Sequence, residues 1–267
     1  MENAMIQVRY SEQIQSLHSH FHDSYQLIYV TAGRARITVS GRSYEACAGS
    51  LVLIGRLESH AIQVLTETYC RYTVGISPRI ETYKGLVDEN LLSMLCNRPE
   101  QFRHCVDMSG CSQVERLISQ MAEETDQNGP LCQQMQLFLL CQLLVHCCRL
   151  HPMQVPEDTQ RLHTVNKIRR YVEEHIAQRI TLQTLSETFH LSQSYLSHLF
   201  KDITGSSVMG YVTAYRLLLA KRYLAETAWE ISRIVEESGF TDNSNFSRTF
   251  KKSTGMSPSQ FRKQHQK

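Results

Sequence analysis

Two nine-residue stretches of this sequence, Leu199-Phe-Lys-Asp-Ile-Thr-Gly-Ser-Ser207 and, fifty residues later, Thr249-Phe-Lys-Lys-Ser-Thr-Gly-Met-Ser257, are identical at five positions. Each copy ends a unit with the pattern of a short amphipathic helix, a tight turn and a second helix. The turns are His190-Leu191 in the first unit and Gly239-Phe240 in the second. This order is that of a helix-turn-helix motif, so the two copies predict an all-α domain with tandem helix-turn-helix units.

The second helix of each unit has an apolar face that must pack inward and a polar face that remains exposed. Asn, Arg and small polar side chains on such a face suit base edges in the major groove of DNA, whereas lysines suit phosphates. The expected base contacts come from Ser194, Ser197, His198, Asn243, Ser244, Asn245 and Arg248. The expected phosphate contacts come from Lys201, Lys251 and Lys252.

The charge of the chain is divided unevenly. Residues 1–160 carry a net charge of −5 and residues 161–267 carry +7, although the whole chain has only +2. A basic segment beside an acidic one indicates a polyanionic partner for the basic segment alone. Between the two units, Ser207–Glu226 predicts one continuous helix of ~30 Å. That length is close to the ~34 Å between successive major grooves, so both units of one chain can engage DNA.

The N-terminal half has the pattern of a small β-protein. From Tyr25 to about Ser77, short runs of β-branched and aromatic residues alternate with turns that contain glycine. Such spacing predicts an antiparallel barrel or sandwich. Helical periodicity follows in Val114–Met121 and in the long apolar stretch Leu131–Leu150, which contains too many polar residues for a membrane span.

These patterns predict an α+β chain with two domains. Residues 1–150 are expected to hold the barrel and the helices after it, and residues 161–267 the all-α domain. Residues 151–160, with two prolines and two acidic residues, are predicted to form the linker. All nine cysteines precede residue 150 without CxxC spacing, and Met1–Tyr10 lacks the apolar run of a signal peptide. We therefore expect reduced thiols in a cytoplasmic protein.

Residues 180–262 resemble the C-terminal domain of the AraC/XylS family of bacterial transcription regulators. The resemblance rests on Gly239-Phe-Thr-Asp-Asn-Ser-Asn-Phe-Ser-Arg-Thr-Phe-Lys-Lys-Ser-Thr-Gly-Met-Ser-Pro258, followed by Phe261-Arg262, and on Leu191-Ser-Gln-Ser-Tyr-Leu-Ser-His-Leu-Phe-Lys201. It implies two helix-turn-helix units that bind promoter DNA, with RNA polymerase as a further partner. The base-contacting positions of the family fall on the seven residues named above as expected base contacts.

The N-terminal half resembles the cupin barrel that precedes this domain in many members of the family. The resemblance rests on His18-Ser-His-Phe-His22, on the glycine-punctuated strands, and on Leu51-Val-Leu-Ile-Gly-Arg-Leu-Glu-Ser-His60. It implies that the barrel binds a small-molecule effector, often a sugar. The candidate effector-binding residues are His20, His22, Tyr29, Arg36 and His60.

Metal-dependent cupins surround one ion with a His-x-His pair, a downstream acid and a later histidine. Here His20, His22 and His60 could supply three imidazoles, a sensible set for a divalent transition metal. Gln26 stands at the position of the acid, however, and a neutral amide is a poorer ligand. We therefore expect no metal, no other cofactor and no enzymatic activity.

The helices after the barrel resemble the dimerisation helices of the family. Leu137, Leu140, Leu144 and Cys147 have the 3-4-3 spacing of a helix-pairing seam. Packing against the protein's own barrel would give the same pattern, so the spacing leaves both interpretations open. Of the two, we expect the homodimer.

The favoured function is a sequence-specific, DNA-binding transcription regulator controlled by a small-molecule effector in the barrel. One alternative is a metal-dependent cupin enzyme that carries a DNA-binding tail, and Gln26 argues against it. A second alternative is a constitutive regulator whose barrel serves only dimerisation. Polar groups inside the barrel argue against that second alternative, because they are costly to bury without partners.

Overall fold

The computed structural model describes residues 4–12, 15–83, 89–96, 102–127, 129–151 and 159–266. The chain divides into two compact units, Met1–Glu157 and Asp158–Lys267. Of the predicted linker, residues 152–158 lie outside the described residues. The last two residues of that predicted linker, Thr159 and Gln160, already belong to a helix of the second unit.

Nine strands form two antiparallel sheets in the described part of the first unit. They are β1 (Ile6–Glu12), β2 (Leu17–His20), β3 (Tyr25–Ala32), β4 (Arg34–Val39), β5 (Arg42–Cys47), β6 (Ser50–Ile54), β7 (His60–Val64), β8 (Cys70–Ile76) and β9 (Cys105–Asp107). One sheet has the order β1-β8-β3-β6-β9 and the other has the order β2-β7-β4-β5. Apolar side chains from both sheets form one cluster between them. The predicted antiparallel β-domain, followed by helices, is therefore confirmed.

Alternation along β3 determines which side chains face the barrel interior. Ile28 and Val30 pack between the two sheets. Leu27 and Tyr29 point to the opposite face, where they join the cluster formed with the helices. Successive side chains of a strand point to opposite faces of the sheet, so the even-numbered residues of β3 are the interior ones.

Helices cover the outer face of the five-stranded sheet. They are a 3-10 helix (Pro78–Tyr83), α1 (Glu89–Cys96), α2 (Gln113–Gln127) and α3 (Cys132–Leu150). The stripe predicted on α2 is buried, since Val114, Leu117, Ile118 and Met121 all join the core. On α3, the predicted pairing seam Leu137, Leu140, Leu144 and Cys147 is buried in that same core. The seam therefore packs against the protein's own domain and is not available to a second chain.

The second unit is all-α. Its helices are α4 (Thr159–Glu174), α5 (Leu182–Phe189), α6 (Gln193–Thr204), α7 (Val208–Glu226), α8 (Ile231–Glu237), α9 (Asn243–Thr254) and α10 (Pro258–His265). The pairs α5–α6 and α8–α9 are the two helix-turn-helix units, with α7 as the connecting helix. Apolar residues of α6 and α9, including Leu196, Phe200, Phe246 and Phe250, are fully buried. Among the helices in the described ranges, none is both long enough and apolar enough to cross a membrane.

Candidate nucleic-acid interface and barrel site

The helices α6 and α9 begin in the same way. Ser192 precedes α6, and its Oγ accepts a hydrogen bond from the backbone N–H of Tyr195 at 3.2 Å. Asp242 precedes α9, and its Oδ1 accepts from the backbone N–H of Asn245 at 2.6 Å. Both side chains satisfy a backbone donor that the first turn of a helix leaves free. The two helices therefore begin at equivalent positions, and their outward faces can be compared residue by residue.

The residues with an expected role in base contact lie on the outward faces of α6 and α9. Ser197 is half-buried, and the other six are exposed. The lysines expected at phosphates, Lys201, Lys251 and Lys252, are exposed as well. Their exposure is the condition that DNA contact requires, while the contacts themselves stay predictions.

The positive charges on these faces are not neutralised by ion pairs with other described residues. In the part of the chain that the structure describes, Lys201, Arg248, Lys251 and Lys252 make no ion pair. The neighbouring Asp202, by contrast, accepts from Arg161 at 3.2 Å. An unpaired cation on an exposed helix keeps its full charge for a phosphate or a base edge.

The connecting helix has the predicted length. Ser207 is the residue before α7, and its Oγ accepts from the N–H of Gly210 at 3.1 Å. The 19 residues of α7 span ~28 Å at ~1.5 Å per residue. One continuous helix therefore connects the two helix-turn-helix units, as the sequence pattern predicts.

Three histidines come together in the barrel. His20 on β2 is paired in register with His60 on β7, and their ring centroids lie 4.2 Å apart. The ring of His22 lies 4.9 Å from that of His60 and 6.2 Å from that of His20. The structure thus assembles the three candidate histidines into one cluster.

Backbone carbonyl groups fix the tautomers of two of these rings. His22 Nδ1 lies 2.9 Å from the carbonyl oxygen of Ser24, and His60 Nδ1 lies 3.0 Å from that of Glu58. A carbonyl oxygen can only accept, so each Nδ1 carries the proton and each Nε2 presents a lone pair. His22 Nε2 is buried and makes no hydrogen bond within the described residues. His22 and His60 therefore offer hydrogen-bond acceptors, not donors, at Nε2.

Burial keeps the rings of His22 and His60 neutral. It lowers the pKa of His60 to about 3, with smaller contributions from the neighbouring His20, His22 and Arg71. Burial also lowers the pKa of His22 below its usual range, although the hydrogen bond to Ser24 opposes the change. Both groups are therefore imidazoles, not imidazolium ions, at neutral pH.

The two other candidate residues, Tyr29 and Arg36, lie away from this cluster. Tyr29 points to the helix-covered face of its sheet, where burial raises the pKa of its hydroxyl. Arg36 is exposed on the outside of the barrel, where its Nη1 donates to Gln63 Oε1 at 3.3 Å. Ala35 and Ile37 occupy the interior positions of that strand, so alternation places Arg36 outside.

Arg71 on β8 is the interior arginine that the sequence reasoning missed. It is only 6% exposed, and its Cζ lies 5.6 Å from the centre of the Tyr69 ring. A signal was present in the sequence, because Tyr72, Val74 and Ile76 form the apolar set of this strand. Alternation then directs Arg71 to the opposite face, toward the interior.

The geometry does not form a metal centre from these side chains. Across the described ranges, no three His, Cys, Asp or Glu side chains are arranged to hold a metal ion. Gln26, at the position of the cupin acid, lies beside His22 and supplies an amide.

Comparison with known families agrees with the division of the chain into an N-terminal β-domain with helices and a C-terminal helical unit. A family described as "AraC-like ligand binding domain" matches residues 6–140, and one described as "Helix-turn-helix domain" matches residues 185–264. The first match covers the barrel with most of its following helices, and the second covers both helix-turn-helix units except the first three residues of α5.

Curated relatives of this chain are described as HTH-type transcriptional regulators or activators. The chain is 31% identical over 139 residues to the "Uncharacterized HTH-type transcriptional regulator YijO" of Escherichia coli, a match that covers 52% of this chain and 49% of that protein. It is 25% identical over 248 residues to the "HTH-type transcriptional activator RhaS" of Enterobacter sp., covering 91% of this chain and 86% of that protein. The chain thus spans about half the length of the first relative and most of the second.

Among solved structures, ToxT from Vibrio cholerae matches with a TM-score of 0.69 and 15% identity, covering 97% of this chain and 98% of that chain. At this identity the likeness concerns the fold: an N-terminal β-domain with helices, followed by a helical helix-turn-helix region.

Proposed function

Because this chain belongs to the AraC family of transcription regulators, we propose that its C-terminal unit binds promoter DNA through α6 and α9. A small molecule in the barrel controls that binding. The seven residues expected at base edges and the three lysines expected at phosphates form the DNA-binding surface. The observation that carries the proposal is the pair of equivalent helices, capped alike at Ser192 and Asp242, whose outward cations make no ion pair within the described residues.

The chemistry of the barrel favours an effector that donates hydrogen bonds. His22 and His60 present Nε2 lone pairs in a buried setting, and a buried acceptor without a donor costs ~1–3 kcal/mol. Hydroxyl groups of a neutral polyol, such as a sugar, would satisfy both acceptors. A carboxylate would place negative charge against these lone pairs, although the nearby Arg71 would attract it. We therefore propose a neutral, hydroxyl-bearing effector held by His20, His22 and His60, without a metal or other cofactor.

ToxT offers a contrast. One solved structure of that protein is described as bound to unsaturated fatty acid. Its sequence is 14% identical to this chain, so only the fold is shared, and its ligand class does not transfer. The side chains of the barrel interior decide the effector, and here His22 and His60 present Nε2 lone pairs.

We propose a homodimer formed through the exposed face of α3. Leu131, just before α3, and Met135 and Phe138 follow one another at helical spacing, and all three are exposed. Residues 131–148 contain no Asp, Glu, Lys or Arg, so two copies of this face would meet without charge repulsion. An exposed apolar patch of this kind favours a protein partner.

A regulator of this type acts where the promoter and the transcription machinery are. We propose a cytoplasmic location and contact with RNA polymerase at the promoter. The family matches favour this function over a metal-dependent cupin enzyme with a DNA-binding tail. They favour it as well over a barrel that serves only dimerisation, because the matched N-terminal family is described as ligand-binding.

The test is a measurement of DNA affinity against salt concentration. The full chain selects its operator from a randomised DNA pool, and its Kd for that operator and for unrelated DNA is measured by fluorescence anisotropy. Contacts to about six phosphates would give a slope near −5 for log affinity against log salt. Salt-independent binding, or equal affinity for every sequence, would overturn the proposal.

A further inference from the structure

We propose that Tyr195 reads a thymine in the half-site bound by the first helix-turn-helix unit, through contact between its ring and the thymine methyl group. This inference rests on the proposed DNA-binding function and adds a residue to it. Tyr195 lies outside the set that the sequence pattern predicts for base contact.

The position of Tyr195 is the first part of the argument. It is the third residue of α6, and Asn245 is the third residue of α9. Their backbone N–H groups donate to the preceding capping side chains, Ser192 and Asp242, in the same way. Asn245 belongs to the predicted base-contacting set, so the equivalent position of the first unit belongs there too. In helix-turn-helix proteins, the N-terminal residues of the second helix are those that contact base edges.

The surroundings of Tyr195 are the second part. Its side chain is 47% exposed. Within the described residues its ring contacts no other ring, and its hydroxyl makes no hydrogen bond. Every other described tyrosine of the C-terminal unit contacts an aromatic ring; these are Tyr171, Tyr211, Tyr215 and Tyr223. The fold therefore uses those four rings for packing and leaves the ring of Tyr195 for a partner.

The chemistry of the first unit is the third part. Its other predicted contacts, Ser194, Ser197 and His198, are short or singly hydrogen-bonding side chains, and Ser197 is half-buried. A tyrosine ring cannot form the paired hydrogen bonds by which Asn recognises adenine. Apolar contact with the C5-methyl group is the feature of thymine that such a ring can read in the major groove.

The experiment removes the two partners of this contact in turn. The full chain and its Tyr195→Ala and Tyr195→Phe variants are titrated with the selected operator and with operators in which single thymines are replaced by deoxyuridine. Loss of one buried methyl group lowers affinity about fourfold, the equivalent of ~0.8 kcal/mol. We expect wild-type protein and Tyr195→Phe to show this loss at one thymine. Tyr195→Ala is expected to lose the sensitivity to deoxyuridine at that thymine.

Asn245→Ala is the matched control, because it changes the equivalent position of the other unit. It is expected to keep the full deoxyuridine effect at the thymine assigned to Tyr195. If Tyr195→Ala remains as sensitive as wild-type protein at every thymine, the inference is wrong. It is equally wrong if Tyr195→Phe loses affinity like Tyr195→Ala while both keep the deoxyuridine effect, since the hydroxyl would then contact a phosphate. A wild-type chain that binds no DNA would instead overturn the DNA-binding function, and this inference with it.

Discussion

His190 and Gly239 occupy the same position in the turns of the two helix-turn-helix units, and both have a positive φ angle, 53° and 82°. In each turn the next residue donates its N–H to a carbonyl five residues earlier: Leu191 to Ser186 and Phe240 to Val235, both at 3.0 Å. These bonds form the Schellman arrangement that ends a helix with a left-handed residue. The two turns therefore share one backbone geometry, although glycine supplies it in only one of them.

We predict opposite outcomes for substitutions at these two positions. Gly239→Ala should lower the free energy of unfolding by at least ~2 kcal/mol, because a left-handed residue with a Cβ costs ~1–2 kcal/mol. That Cβ would also overlap the carbonyl oxygen of Ile176 and approach Arg216 Nε at 2.9 Å. His190→Gly should raise the free energy of unfolding by roughly 0.5 kcal/mol, since relief of the strain exceeds the entropic cost of glycine.

Urea unfolding of the full chain measures both changes. Gly255→Ala is a control with a similar φ of 78° and open space around its Cβ. It should cost only the left-handed penalty, less than Gly239→Ala. If Gly239→Ala and Gly255→Ala destabilise equally, the close approach of Ile176 has no energetic effect.

The positions of α6 and α9 could be predicted from the sequence because local signals determine them. The capping residues Ser192 and Asp242 and the apolar stripe behind them act within one or two turns of helix. Because the pattern is repeated after fifty residues, the capping residue and the apolar stripe are each found twice. Tyr195 was nonetheless missed, because outward position alone does not separate a side chain used in packing from one left for a partner.

The barrel was harder to predict because both faces of its central strand are buried. Leu27, Ile28, Tyr29 and Val30 on β3 are all buried, so alternation of polar and apolar residues could not mark the interior face. The burial comes from α2 and α3, which are distant in sequence. On β4 the alternation was clear and already placed Arg36 outside with Arg34. The α3 stripe could not distinguish a dimer seam from a core-facing row, since both need the same spacing.

Arg248 and Lys252 should affect DNA binding differently. Arg248→Ala should relax sequence preference and weaken operator binding by roughly 1–3 kcal/mol, because Arg248 lies on the outward face of α9 where it can pair with a guanine. Lys252→Ala should weaken binding to all sequences about equally and reduce the salt slope by about 1, since Lys252 lies toward the edge of that face. Selection from a randomised DNA pool measures the preference of each variant. Identical specificity profiles would contradict this assignment of faces.

Buried His60 should make the protein less stable in mild acid. In an unfolded chain a histidine titrates near 6.5, whereas the pKa of folded His60 is about 3. Above pH 6.5 neither state binds the proton, and below it only the unfolded state does so, which favours unfolding. Between pH 6.5 and pH 5 this difference costs about 2 kcal/mol.

Urea unfolding of the wild-type chain and of His60→Gln at pH 7 and pH 5 tests this dependence. The glutamine variant cannot take up the proton, so its stability should fall less over this interval. His163→Gln is a matched control, because His163 is exposed on α4. A wild-type stability that is the same at both pH values would contradict the prediction.

Phe138→Glu should weaken the proposed homodimer. Phe138 is 67% exposed on the outward face of α3, so a carboxylate there leaves the core of the monomer intact. Loss of a buried aromatic anchor from an interface costs ~2 kcal/mol or more, which raises the dimer Kd at least ~30-fold. Sedimentation velocity measures the change. Gln133→Glu adds the same charge at an exposed position outside the apolar patch and should leave the Kd within a few-fold of wild type. Equal effects of both substitutions would indicate that charge, and not this patch, controls association.

The effector and the operator should each change the affinity of the protein for the other. Calorimetric titration with a panel of neutral pentoses, hexoses and polyols, beside the corresponding sugar acids and fatty acids, identifies the ligand class. We expect a neutral polyol to bind, because His22 and His60 present buried acceptors. His60→Ala should lower the affinity for that polyol at least ~10-fold, since a hydrogen bond to a buried group is worth ~1–3 kcal/mol. Arg36→Ala is the matched control on the outside of the barrel and should not change the affinity.

Thermodynamic linkage requires that the effects of the polyol and of the operator on each other's affinity be equal. If the polyol changes operator affinity tenfold, the operator must change polyol affinity tenfold, a coupling of ~1.4 kcal/mol. Titration of the polyol with and without saturating operator measures this coupling directly. Equal affinities in the two titrations would exclude control of DNA occupancy by the bound molecule, and its effect would then have to lie in polymerase contact. If only acids bind, the proposal that the effector donates hydrogen bonds to the histidines would be wrong. Arg71 would then be the residue that recognises the ligand, because its buried guanidinium faces the same interior.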